Sequence, residues 1–210
     1  MRRKVLFVIL NDYADWEGAY LATAINKGVM PGSEMLYETK VVAPTLSEVY
    51  SLGGFRTIPD YSLDTIPEDY AALILIGGDQ WKSEVAQRVV PIVDEAIKQG
   101  KVVGGICGAA SFMAAHGFLN HVKHTGNGLD NLKEWGGDNY TNEAGYVNIQ
   151  AISDNNIITA NGSACLEFTS EVLLTLKADT PERIDMLYDF QKDGFVKWMD
   201  NISNGSGIKK

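Results

Sequence analysis

Histidine, cysteine and basic residues are all scarce in this chain, and long apolar runs are missing. Its 18 Lys and Arg residues against 27 Asp and Glu leave a formal net charge of −9. Phosphate backbones are held by clustered cations, so nucleic acid is not an expected partner. No window approaches the roughly 18 consecutive apolar residues of a membrane span, so no membrane insertion is expected. The two cysteines, Cys107 and Cys165, stand far apart without CxxC spacing, which argues against a disulfide framework and a zinc site. Neither GxGxxG nor GxxxxGK[ST] occurs, so dinucleotide and P-loop chemistry have no motif to rest on. No cofactor and no metal are expected.

What remains is ordinary for a soluble globular protein, with 45% apolar and 21% charged residues over 210 positions. That length suits one well-buried domain, 1–210, whose last ten residues, "NISNGSGIKK", are expected to fray. The opening "MRRKVLFVIL" is basic and then apolar, but the run stops at Asn11 and Asp12 with no small-residue cleavage site. It is expected to form a first buried strand, and the protein to stay in the cytoplasm. The Asn-x-Ser sequons at Asn161, Asn201 and Asn204 carry no weight in that compartment.

Short apolar runs alternate with helical patterns. "KVLFVIL" (4–10), "TKVVAP" (39–44), "AALILIGG" (71–78) and "KVVGGIC" (101–107) are apolar on both parities, as strands buried on both faces are. Helical spacing runs from Trp16 to about Val29 and from Ser83 to Gln99, where Gly100 is a C-cap. Residues 46–67 are turn-rich and predict a small hairpin; 145–153 and 157–160, joined at "DNN", predict another pair. Helices are predicted from about Cys165 to Lys177 and from Pro181 towards Trp198. Repeated strand–helix units imply an α/β sandwich with a mostly parallel sheet and helices on both faces.

In such a sheet, ligands bind beyond the carboxyl ends of the strands. Four segments converge there: "NDYADWEGAY" with Asp12, Asp15 and Glu17, "GGDQW" with Gly77, Gly78 and Asp79, then Cys107, then "NGSA". The turn Gly105-Ile106-Cys107-Gly108-Ala109 resembles a nucleophile elbow, with small residues where strand and helix backbones meet. A thiol there sits at a helix N-terminus, which favours thiolate and predicts a lowered Cys107 pKa. The Gly108 N–H would point at an oxyanion, with Gly78 as a second donor. The plain alternative is a small core cysteine beside close-packed glycines. Asp12 and Asp15 also suggest a phospho-accepting receiver, but "IGGD" puts glycines where the acceptor would stand.

"DWEGAYLATAIN", "LIGGDQ", "GICGAA", "SFMAAHGFLNHVKHTGN" and "IITANGSACLEFTSEVL" together resemble the ThiJ/PfpI family of the class I glutamine amidotransferase-like superfamily, over roughly residues 4–178. The resemblance implies a flavodoxin-like sandwich, frequent homodimers, and members described as intracellular proteases, amidases, glyoxalase-like or deglycating enzymes, isonitrile hydratases and oxidative-stress proteins. It implies Cys107 as reactive cysteine, Glu17 as the carboxyl against its sulfur, and Gly78 and Gly108 at the oxyanion positions. The family's histidine has no direct match: Gly108 follows the cysteine, and Thr125-Gly126-Asn127 stands where other members carry a histidine. His124 is offset but close, and is a candidate to line the site; His116, His121 and Cys165 are expected to be structural or surface residues. Trp16 and Trp81 follow site loops and are candidate pocket walls.

Three functions fit. The first is a cysteine-dependent enzyme, hydrolase, amidase or glyoxalase-like, with Glu17 as acid–base partner and a small-molecule substrate. The second is an oxidative-stress protein whose partner is an oxidant and whose Cys107 is reversibly oxidised. The third is a binder that has lost chemistry with the histidine. Without an imidazole, proteolysis is expected to be the hardest of these reactions, since an amine leaving group needs a proton.

Overall fold

The computed structural model describes residues 2–203. Its main sheet has seven strands: β1 (Arg3–Val8), β2 (Tyr37–Ala43), β5 (Tyr61–Ser62), β6 (Tyr70–Leu75), β7 (Val102–Ile106), β8 (Ala151–Asp154) and β9 (Ile157–Ala160). They lie in the order β5-β2-β1-β6-β7-β9-β8, all parallel except β8, which runs against β9. The core order β2-β1-β6-β7-β9 is the flavodoxin-like one, with the switch between β1 and β6. A separate ribbon pairs β3 (Val49–Tyr50) with β4 (Arg56–Thr57), the hairpin expected from the turn-rich segment.

Helices cover both faces. On one side α1 (Asp15–Lys27), α6 (Cys165–Leu176) and α7 (Pro181–Ser203) meet Val5, Phe7, Ile74 and Ile158. On the other, α2 (Glu84–Gln87), α3 (Val90–Lys98), α4 (Gly108–Ala115) and α5 (Leu129–Gly136) meet Leu6, Val8, Leu73 and Leu75. Alternate residues of one strand therefore feed two cores, which is why the strands are apolar on both parities. None of the described helices is long and apolar enough to cross a membrane.

The two glycines of "VVGGIC" answer to both layers. A Cβ on Gly104 would stand 2.9 Å from Phe168 of α6, and one on Gly105 would stand 2.5 Å from Met113 Sδ of α4. A side chain at Gly104 would press the rigid Phe168 ring and α6 off β7, whereas at Gly105 the flexible Met113 side chain would have to swing aside.

Three boundaries depart from expectation. The helix predicted over 83–99 is two, because Pro91 offers no N–H and its ring clashes with the carbonyl four residues back, so the first segment stops at Gln87. Residues 145–150 lie before the hairpin strand, which begins at Ala151; Asn155 and Asn156, with φ of 49° and 65°, make the tight turn to β9. Helix α5 was not predicted at all. Glycines flank it and it spans only eight residues, too short for its amphipathic spacing to stand out from the surrounding loop. Helix α7 runs past Trp198 to Ser203 with a break at Gly194 (φ 84°), and the rest of the segment expected to fray, 204–210, lies outside the described residues.

Candidate active site

Strands β1, β6, β7 and β9 all end at one edge, and the segments following them build a single cleft. It encloses about 330 Å³ and is lined by Trp16, Glu17, Leu52, Gly78, Lys82, Cys107, Gly108, Asn127 and Trp135 among others. Cys107 caps α4 with φ 57° and ψ −125°, the left-handed strain of an elbow rather than a helical start. That conformation turns the sulfur back over the strand ends instead of along the helix.

Glu17 lies in the first turns of α1 and is 1% exposed. Its Oε2 accepts the Gly77 N–H at 2.8 Å, while Oε1 is buried without a hydrogen-bond partner among the described residues. The carboxyl faces the Cys107 sulfur. An ionised oxygen buried without a donor is costly. Burial accordingly pushes Glu17 up to about 7, against the lowering effect of its contacts with Cys107 and Gly77. A proton on Oε1 removes the cost and makes that oxygen a donor towards sulfur.

The thiol departs from expectation. Burial pushes Cys107 up, and an ionised Glu17 pushes it further; contacts from the Asn127 amide and the Gly108 N–H only partly offset this. Partial burial of the sulfur outweighs the favourable helix terminus. Glu17 and Cys107 thus compete for one proton, and the thiolate is favoured when the carboxyl holds it.

Asn127 Nδ2 donates to Cys107 Sγ at 3.4 Å, and the Gly162 N–H donates to Asn127 Oδ1 at 2.9 Å. Trp16 Nε1 in turn donates to the Gly162 carbonyl at 3.3 Å. Gly162 has to be bare, since a Cβ there would lie 2.7 Å from the sulfur. Gly78 has φ 153°, and a Cβ on it would meet the Asp12 carbonyl at 2.3 Å. Its N–H donates to no group among the described residues. The Gly108 N–H meets the thiol, and Gly108 abuts Gly78 in the same cleft lining, an arrangement able to hold a developing oxyanion.

The structure brings Cys107, Glu17, Gly78 and Gly108 together but leaves His124 apart. His124 is fully buried; its Nδ1 donates to the Val122 carbonyl at 2.9 Å and its Nε2 accepts the Tyr140 hydroxyl at 2.7 Å. With both ring nitrogens taken and burial lowering its pKa, it is a core residue and not a partner of the thiol. His116 stacks on Phe112 and His121 is exposed on a loop. Trp16 walls the cleft as expected. Trp81 lies beneath it, 2% exposed, its Nε1 bonded to the Ile76 carbonyl at 2.7 Å. The sequence reading missed Trp135, which arrives on the unpredicted α5, and Leu52, carried by the ribbon turn. Among the described residues no three His, Cys, Asp or Glu side chains converge as metal ligands.

Known proteins of the same build exist. The model of the DJ-1/PfpI family matches residues 3–175. The chain is 36% identical over 202 residues to the uncharacterized protease YdeA of Bacillus subtilis, covering 96% of this chain and 98% of that one. It is similar to a crystal structure of a thiJ/pfpI family protein from Bacillus anthracis, at 32% identity, a TM-score of 0.87 and 97% of each chain. A DJ-1 superfamily protein from Agrobacterium tumefaciens matches at 34% identity and a TM-score of 0.80, over 91% of this chain and 98% of that one.

Proposed function

The chain belongs to the DJ-1/PfpI family, and on that premise we propose that it is a cysteine-dependent enzyme acting on small carbonyl compounds, with Cys107 as nucleophile and Glu17 as its proton partner. The observation that carries this reading is the elbow at Cys107, φ 57°, which presents the sulfur to the Glu17 carboxyl and the Gly108 N–H at once. A core thiol needs none of that strain.

The reaction starts with the shared proton on Glu17 Oε1 and the negative charge on sulfur. A sulfur lone pair attacks the carbonyl carbon, forming the C–S bond, while the C=O π pair moves to oxygen. The Gly78 and Gly108 N–H groups hold that alkoxide. Glu17 then gives its proton to the alkoxide and becomes a carboxylate, leaving a hemithioacetal on Cys107. Every group needed for addition is in the cleft. An amide would further require a protonated amine to depart, and no imidazole is in reach to supply that proton. Aldehydes are therefore the favoured substrates and peptides the disfavoured ones.

A homodimeric, cytoplasmic protein completes the proposal, resting on family membership alone. A panel of small aldehydes, amides and unstructured peptides, run with the wild type and Cys107→Ser, tests the chemistry. Cys107-dependent consumption of aldehydes is expected; Cys107-dependent peptide cleavage without aldehyde consumption would overturn it.

A further inference from the structure

Asn127 is the side chain touching the sulfur that cannot titrate. Its carboxamide has two possible orientations, and the Gly162 N–H selects one of them. Flipping the amide would set two donors against each other at Gly162 and an acceptor oxygen against the sulfur. The NH₂ group is therefore aimed at Cys107. Gly162 is itself fixed: its carbonyl takes the Trp16 indole N–H, and its missing side chain lets it lie against the thiol. A relay from α1 through Trp16, Gly162 and Asn127 thus ends on the nucleophile.

We propose that Asn127 is a positioning residue for the nucleophile, a locked neutral donor that orients the Cys107 sulfur and favours its reactive, anionic form. The proposal rests on Cys107 being the nucleophile. A neutral donor stabilises the anion at every pH and adds no titration of its own to the Cys107–Glu17 pair. Of the other ionisable groups nearby, Cys165 has its thiol pushed up by burial, and the charge of an ionised Glu17 adds to this. Asp79 and Lys82 are exposed on the turn after β6, and Lys82 is engaged by Glu134 and the Trp135 ring.

The pH profile of Cys107 alkylation by iodoacetamide, followed by peptide mass spectrometry, tests this. Asn127→Asp is isosteric and still accepts from Gly162, but sets a carboxylate oxygen against the sulfur. Its profile is expected to move up by about one pH unit or more, with the high-pH rate unchanged. Asn127→His should add a second titration near the roughly 6.5 of an ordinary imidazole. Trp16→Phe, which keeps an aromatic wall and removes only the indole donor to Gly162, should slow alkylation at neutral pH and not at high pH, where thiolate is complete. An Asp profile superimposed on the wild type, or an equal slowing at every pH, would overturn the proposal. Thermal midpoints establish that each variant folds; if the Asp variant does not, the His and Phe profiles decide. Alkylation involves no carbonyl substrate. A shifted profile with a blank substrate panel would sink only the carbonyl chemistry, and an active panel with superimposed profiles would sink only the role of Asn127.

Discussion

Cys107 and Cys165 follow neighbouring strands, β7 and β9, and both stand at the start of a helix. Both are half-buried, and burial pushes both thiols up. By position alone they are equivalent candidates. They differ in backbone and company. Cys107 sits before its helix in a left-handed turn and meets Glu17, Asn127 and Gly108 in an open cleft. Cys165 is already the first residue of α6, and its backbone carbonyl accepts the Thr169 hydroxyl at 2.7 Å as part of ordinary helix bonding. A helix N-terminus therefore does not by itself make a reactive cysteine. The strained turn and the groups it presents the sulfur to are what sets the proposed nucleophile apart from Cys165.

Removing each thiol in turn is the bluntest way to break the comparison. Cys107→Ser should abolish adduct formation with small aldehydes, measured by intact-protein mass spectrometry. Cys165→Ser should leave it at the wild-type level and shift the thermal midpoint little.

Next in size is the proton on Glu17. In the folded protein the carboxyl keeps its proton up to about 7, whereas in the unfolded chain it ionises near its ordinary 4.5. The folded state thus binds the extra proton between those values, and the stability it brings is complete below about 4.5 and lost as pH rises towards 7. The full loss is on the order of 3 kcal/mol. Glu17→Gln keeps a donor towards sulfur and an acceptor for Gly77 but cannot ionise. Its stability relative to wild type, from urea denaturation, should rise between pH 5 and pH 8. A constant difference would mean that Glu17 ionises normally. No such pH dependence attaches to any change at Cys165.

Gly162→Ala tests how close the surrounding loop must lie to one thiol and not the other. The added methyl would stand 2.7 Å from Cys107 Sγ. Overpacking of this kind destabilises by about 1–3 kcal/mol, and it should slow alkylation of Cys107 while leaving Cys165 unchanged.

Much of this contrast was legible in sequence. The parallel sheet announced itself through strands apolar on both parities, and the elbow through glycines around Cys107. Glu17, Gly78 and Gly108 came from their places after β1, β6 and β7 together with the family resemblance. The missing pieces arrive by contacts remote in sequence. Asn127 reaches the sulfur because the chain after α4 loops back across β9, where the Thr125 N–H meets the Thr159 hydroxyl at 2.8 Å. Only Gly126 separates it from Thr125, and the chain's turn there sends His124 inward to Tyr140 and Asn127 outward to Cys107. No local pattern encodes that divergence. Likewise, the thiol's upward shift depends on burial, which a helix-terminus rule does not include.

The account stands most directly on the relative reactivity of the two thiols in one sample. Wild-type protein is treated with limiting iodoacetamide at pH 7, quenched over time, and the peptides holding Cys107 and Cys165 are quantified by mass spectrometry. The cleft, the Asn127 and Gly108 donors and the protonated Glu17 predict that Cys107 is alkylated about tenfold faster or more, the factor that roughly 1.4 kcal/mol in barrier provides. Equal rates, or faster labelling of Cys165, would contradict it.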